Sequence, residues 1–221
     1  MCGRFRTGNL HEIDEHFRLP EPFPGGVHLN ISPTDTVAII PNEEPRHWML
    51  ARWGLIPPGA RDPKEVRHTF NARIESLGTR GLWRGPFLRR RCLVPADGFY
   101  DWTPIPGSRK KQAHLVGLKD RRPFAFAGLW DQWKDSLTGE VIRSFTIITC
   151  PPNDFMRLLH DRMPLILPSS HWSEWLDPRE RSPEELARAL VPLDDTQMRE
   201  ELCGDPRQLE EAAQRGSLSL S

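Results

Sequence analysis

Twenty-two prolines divide this chain of 221 residues into short segments. Proline fixes φ and has no amide to donate, so it sits badly inside helices and central strands. Runs at Pro20–Pro24, Pro57-Pro58, Pro104–Pro106 and Pro151-Pro152 therefore read as loops or strand ends. Between them, Thr36–Ile40, Trp48–Trp53, Ala113–Leu118, Phe124–Leu129 and Ser144–Thr149 have strand composition. Helices are predicted over Leu10–Leu19 behind a cap at Asn9, over Asn153–His160, and from Ser182-Pro183-Glu184-Glu185 onward. Short strands mixed irregularly with a few helices predict an α+β fold with a mostly antiparallel sheet. One domain is expected over residues 2–203, with Cys203 near the end of an acidic helix. Residues 204–221 hold few large apolar side chains and are expected to fray.

No apolar run approaches 18 residues, and the charges near the start are not followed by an apolar stretch. The sequence thus predicts neither a membrane span nor a secretory signal, and a cytoplasmic location. Formal net charge is zero, yet residues 1–122 carry 20 basic against 13 acidic side chains, and the excess reverses beyond them. Of the basic residues 25 are Arg, the side chain suited to bidentate phosphate contacts and stacking on bases. Arg-rich coding from a GC-rich genome explains the same count. Arg80, Arg84, Arg89, Arg90 and Arg91, interleaved with Trp83 and Phe87, form a candidate groove wall for nucleic acid, or a solvated helix face.

Four cysteines stand at positions 2, 92, 150 and 203 with no C-x-x-C pair, so no metal site and no cofactor are expected. Cys92 and Cys150 lie in apolar runs and read as core. Cys2 is chemically distinct. Once Met1 is removed, it presents a thiol and a free α-amine on adjacent carbons, each titrating near enough to neutrality to react. An amine condenses with an aldehyde to an imine, and the neighbouring thiol closes on the imine carbon as a thiazolidine. A small residue close to a chain end is the plainer reading of Cys2.

Three later segments hold further chemistry. Asn71, Arg73 and Glu75 alternate, and in a strand they would share one face. Arg91–Trp102 reads as an apolar strand, a turn at Asp97-Gly98, then Asp101 beside aromatics, where a carboxylate could move protons. His160-Asp161-Arg162-Met163-Pro164 sets an imidazole and a guanidinium between a helix and an apolar run.

Met1-Cys2-Gly3-Arg4-Phe5, Trp53-Gly54-Leu55-Ile56-Pro57, Asn71-Ala72-Arg73, Arg91–Tyr100 and His160–Pro164 occur in the order found in the SRAP family, the abasic-site processing proteins. The sequence resembles that family over about residues 2–170. The resemblance implies a curved antiparallel, barrel-like sheet with flanking helices and a positive groove. It implies covalent capture of an abasic site in single-stranded DNA as a thiazolidine, by a monomer, nucleoid-associated if the source is bacterial. By position, Cys2 would be the nucleophile, Asn71 would hold the Cys and the sugar, Asp101 would be the acid/base, and His160 would serve proton transfer. Arg4, Arg73 and Arg162 would grip phosphates, with Trp102 lining the pocket and Arg84 and Arg89 in the DNA-binding wall. Two positions depart from the family pattern. Asp101 stands where Glu is usual, drawing the carboxylate back by about 1–1.5 Å, and Gly59 stands where many relatives have Trp. An N-terminal-nucleophile hydrolase or cysteine peptidase, and a non-covalent Arg-rich single-strand-binding module, remain the competing functional classes.

Overall fold

The computed structural model describes residues 2–216 except 65, 67 and 180. In chain order its elements are β1 (Phe5–Thr7), α1 (Leu10–Phe17), β2 (His28–Ile31), β3 (Thr36–Pro41), β4 (Met49–Trp53) and β5 (Asn71–Arg73). They continue with α2 (Gly81–Arg89), β6 (Arg91–Ala96), β7 (Gly98–Pro104), β8 (Lys111–Leu118), β9 (Phe124–Lys134) and β10 (Val141–Cys150). The rest comprises α3 (Asp154–Arg157), β11 (Met163–Pro164), β12 (Ile166–Leu167), α4 (Trp172–Trp175), α5 (Pro183–Ala189), β13 (Met198–Cys203) and α6 (Pro206–Gln214).

The architecture is α+β. Strands β10, β4, β3, β6 and β9 pair in sequence, and β9 pairs back to β10, so five strands close into a ring. Most pairings are antiparallel; β10 runs parallel to β4 and to the appended β5. Closure requires β9 to approach both neighbours tightly. Gly128 permits this, because a Cβ there would lie 2.8 Å from the Cys92 sulfur and 3.0 Å from the Thr146 carbonyl oxygen. A second sheet, in the order β13-β8-β7-β1-β2, packs on the ring through aromatic edges. Phe5 of β1 meets Trp53 at 5.1 Å and Phe126 at 5.8 Å between ring centroids, both edge-on. Those contacts fix the strand that carries Cys2 three residues upstream.

Local signals explain several elements. Asn9 caps α1 by accepting the Glu12 amide, and Ser182 with Glu185 forms a reciprocal capping box on α5. The Asp97-Gly98 turn has a structural task. Its buried carboxylate accepts from Arg6 Nε at 2.8 Å and from the Gly8 and Asn9 amides at 2.7 and 2.9 Å, tying β1 to the start of α1.

Other expectations need correction. Met198–Cys203 is not a helix but strand β13, paired residue by residue with β8. Residues 206–214 of the segment expected to fray form α6, which buries Pro206 and sends the Glu210 carboxylate to the Leu29 amide of β2. Residues 217–221 of that segment lie outside the described residues. The Asn153–His160 helix is one turn, Asp154–Arg157, capped by Asn153. All four cysteines are free thiols, with Cys92 and Cys150 in the core. Among the described residues, no helix is long and apolar enough to cross a membrane.

Candidate active site

Cys2 lies three residues before β1, 1% exposed. Asn71, the first residue of β5, donates Nδ2–H to the Cys2 carbonyl at 2.8 Å. The main chain entering β5 is itself anchored: the Phe70 carbonyl accepts from Trp53 Nε1 at 2.8 Å and from the Ile147 amide at 3.1 Å. Among the described residues, the buried Asn71 Oδ1 has no hydrogen-bond partner. A buried acceptor left unmet is costly, and such atoms concentrate where a ligand completes the set.

Asp101 lies on β7, 6% exposed, and its Oδ1 accepts the adjacent Trp102 amide at 2.8 Å. Burial raises the Asp101 carboxyl above the ordinary range, while the Trp102 amide and the charge of His160 oppose that rise. Burial, with the Asp101 carboxylate adding to it, pushes the Cys2 thiol up to about 12. The Asp101 charge thus disfavours ionisation of the buried Cys2 thiol, and burial favours the protonated form of both groups.

His160 follows α3, its amide bonded to the Met156 carbonyl at 2.8 Å. Its Nδ1 lies 2.6 Å from Asp161 Oδ1 and 3.1 Å from the Arg162 amide. The first contact needs a proton on Nδ1 and the second needs a lone pair, so this nitrogen has a partner in either state. Arg162 is engaged: it forks onto Glu75 at 2.6 and 3.1 Å and donates to the Thr149 carbonyl at 2.7 Å. The guanidinium holds the Glu75 carboxyl below its usual range. Glu75 does not continue β5 as the alternation predicted; it lies in a 3-10 turn, Ile74–Ser76, from which it reaches Arg162.

Cys2, Asn71, Asp101 and His160 are thus linked by contacts or by charge. Of the predicted phosphate contacts, Arg4 donates to Asn30 Oδ1, and Arg73 is exposed at the end of β5. Trp102 is half-buried, its ring tilted against Tyr100. Arg84 and Arg89 are exposed on α2, a helix that packs mainly on β6, β9 and α5, away from the strands bearing Cys2, Asn71 and Asp101. The proposed wall is also thinner than its sequence. Trp83 and Phe87 are core, Arg91 is fully buried, and Arg90 pairs with Asp131 while stacking on Trp130.

Sequence reading missed one set of neighbours. His114 of β8 lies directly opposite Asp101, with Thr103 and Glu200 around its ring. The polar residue in an apolar strand was visible, but its partner Glu200 lay in a segment read as helix. Among the described residues, no group of three or more His, Cys, Asp or Glu could hold a metal ion.

A family model described as SOS response associated peptidase (SRAP) matches residues 1–202, and the chain belongs to that family. It is 38% identical over 199 residues to the abasic site processing protein YoaM of Bacillus subtilis, covering 88% of this chain and 87% of the relative. It is 30% identical to the abasic site processing protein HMCES of Gallus gallus, over 66% of this chain and 50% of that one. Among solved structures, a protein from Bacteroides thetaiotaomicron superposes with a TM-score of 0.82 at 24% identity, covering 92% of this chain and 93% of its own. One from Bordetella bronchiseptica gives 0.77 at 25%, covering 92% and 100%.

Proposed function

We propose that this protein captures abasic sites in single-stranded DNA as a covalent thiazolidine on Cys2, after removal of Met1. The observation that carries the reading is the burial of Cys2 with its carbonyl held by Asn71 and its thiol within the field of the buried Asp101. Relatives bearing the name abasic site processing protein support the substrate class.

The freed α-amine adds to the C1′ aldehyde of the ring-opened sugar. The carbinolamine loses water to an imine. The sulfur then adds to the imine carbon as the nitrogen takes up the thiol proton, which closes the ring. One water leaves and nothing is oxidised. A thiol held protonated near neutral pH needs a base for the last step, and Asp101 is the adjacent carboxyl whose burial raises its basicity. His160, with a partner for Nδ1 in both states, serves proton exchange during sugar opening. Asn71 Oδ1 would gain its missing partner from the amine or the sugar hydroxyl. Arg4, Arg73 and Arg162 would take flanking phosphates, with Arg162 exchanging Glu75 for one, Trp102 would line the pocket, and Arg84 with Arg89 would add a more distant, salt-dependent contact.

The test is a denaturing gel of Met1-processed protein mixed with a single-stranded oligonucleotide containing one abasic site, without borohydride. A heat-stable shifted band that vanishes in Cys2→Ala is expected; its absence from the processed wild type overturns the reading. The Asp101 carboxylate, one methylene shorter than Glu and folded onto its own Trp102 amide, should work slowly. An Asp101→Glu variant is expected to form the band several-fold faster, and an equal rate would remove the reach argument.

A further inference from the structure

Beside the candidate site, three side chains from three strands form a hydroxyl–imidazole–carboxylate line. Thr103 Oγ1 of β7 lies 2.6 Å from His114 Nε2, and His114 Nδ1 lies 2.5 Å from Glu200 Oε1 of β13. His114 is 7% exposed and stands opposite Asp101 in the β7–β8 ladder. Directly opposed residues share a face with Cβ atoms about 4.5–5.5 Å apart. Thr103, two residues beyond Asp101, shares that face too.

This arrangement constrains the imidazole. An ionised carboxylate only accepts, so Glu200 requires the proton to stay on Nδ1. On Nε2 the Thr103 hydroxyl serves either way, donating to a bare nitrogen or accepting from a protonated one. His114 can therefore hold or release its second proton without losing a hydrogen bond.

We propose that His114 is a positioning residue that sets the protonation state of the Asp101 carboxyl, with Glu200 and Thr103 holding the imidazole in place for that purpose. The role in capture rests on the reading that Asp101 moves protons for Cys2. The charges bearing on Asp101 are His160 after α3, the N-terminal ammonium and His114 on β8, and Asp101 in turn bears on Cys2; those facing His114 are Asp101 and Thr103 on β7 and Glu200 on β13. A positive imidazole favours the ionised carboxylate, opposing its burial. Its removal should leave Asp101 protonated to higher pH.

The experiment is a 13C NMR titration of the Asp101 carboxyl in wild type, His114→Gln and Glu200→Gln, alongside pH–rate profiles for adduct formation on the abasic oligonucleotide. His114→Gln is expected to raise the Asp101 midpoint, and the acid limb of the rate profile with it, by about half to one pH unit. Glu200→Gln should give a smaller shift in the same direction, and it keeps the question answerable if His114→Gln does not fold. Glu201→Gln, whose side chain pairs with Arg199 and Arg121 on the other face of β13, should keep the wild-type midpoint. An unmoved Asp101 midpoint in both variants overturns the proposal, as does a rate lowered equally at every pH. A moved midpoint with no adduct from wild type retains the coupling and removes the capture reading instead.

Discussion

Two of the polar assemblies buried in this protein, around Arg91 and around Cys2, are finished differently. Around Arg91 every guanidinium nitrogen is bonded: Nε to the Trp175 carbonyl at 2.8 Å, one terminal nitrogen to Phe87 and Leu88 at 3.3 and 2.6 Å, the other to Asp177. The plane also stacks on Trp175. Burial lowers this guanidinium to about 10, and the charge of Asp177 opposes that fall. Around Cys2, by contrast, among the described residues Asn71 Oδ1 has no partner, Asp101 accepts the adjacent Trp102 amide, and the thiol has only the Arg4 carbonyl at 3.8 Å. The Arg91 knot is complete without a ligand, as a structural device must be. The Cys2 site has unmet groups that a substrate could meet.

The contrast is sharpest in thiol chemistry. In the chain that keeps Met1, a Cys2 thiol near 12 has about a thousandfold less thiolate at pH 8 than an unperturbed one. Iodoacetamide labelling read by peptide mass spectrometry should therefore mark the partly exposed Cys203 well before Cys2. Since the Asp101 charge raises the thiol, Asp101→Asn should speed Cys2 labelling; slower labelling would mean that the two groups are not coupled. A large effect is also expected on the other side of the comparison. Arg91→Met strands several buried carbonyls and should cost about 3–5 kcal/mol in urea unfolding, since each unpaired buried group costs about 1–3 kcal/mol. A change under about 1 kcal/mol would show the knot to be dispensable. The smallest effect concerns the loop after Pro57-Pro58. A side chain at Gly59 would meet nothing within 4 Å, so Gly59→Trp fits without strain. One added stacking contact, about 1–3 kcal/mol per base, should tighten binding to undamaged single strand; equal affinity in a fluorescence anisotropy titration would show that this loop does not reach the DNA.

What could be read from the sequence follows the range of the forces involved. The caps at Asn9 and Ser182 and the strands near 36–40 and 144–149 were legible because their signals are local. The Met198–Cys203 strand was not, because Met-Arg-Glu-Glu-Leu favours helix and only pairing with β8 overrides that preference. Helix α6 looked too polar to pack, yet the Glu210 carboxylate holds it to β2 through a main-chain amide that no composition reveals. The ordered motifs pointed to Cys2, Asn71, Asp101 and His160. The face shared by Asp101, His114 and Glu200 needed the register of three strands. Arg91 misled for a related reason: a charged residue at the end of an Arg-rich run gives no sign that carbonyls from a distant segment, Trp175 and Asp177, will enclose it.

The closed ring and its companion sheet also bear on association between copies. Exposed strand edges are where chains pair with one another; the five ring strands close on themselves, and only the short β5, β11 and β12 are appended to them. The five-stranded sheet ends at β2 on one side, where α6 supplies a carboxylate to the Leu29 amide. On the other side it ends at β13, where Arg199, Glu200 and Glu201 stand in succession. One border is occupied and the other is charged. Neither offers a second copy the bare, apolar edge that strand exchange and aggregation require.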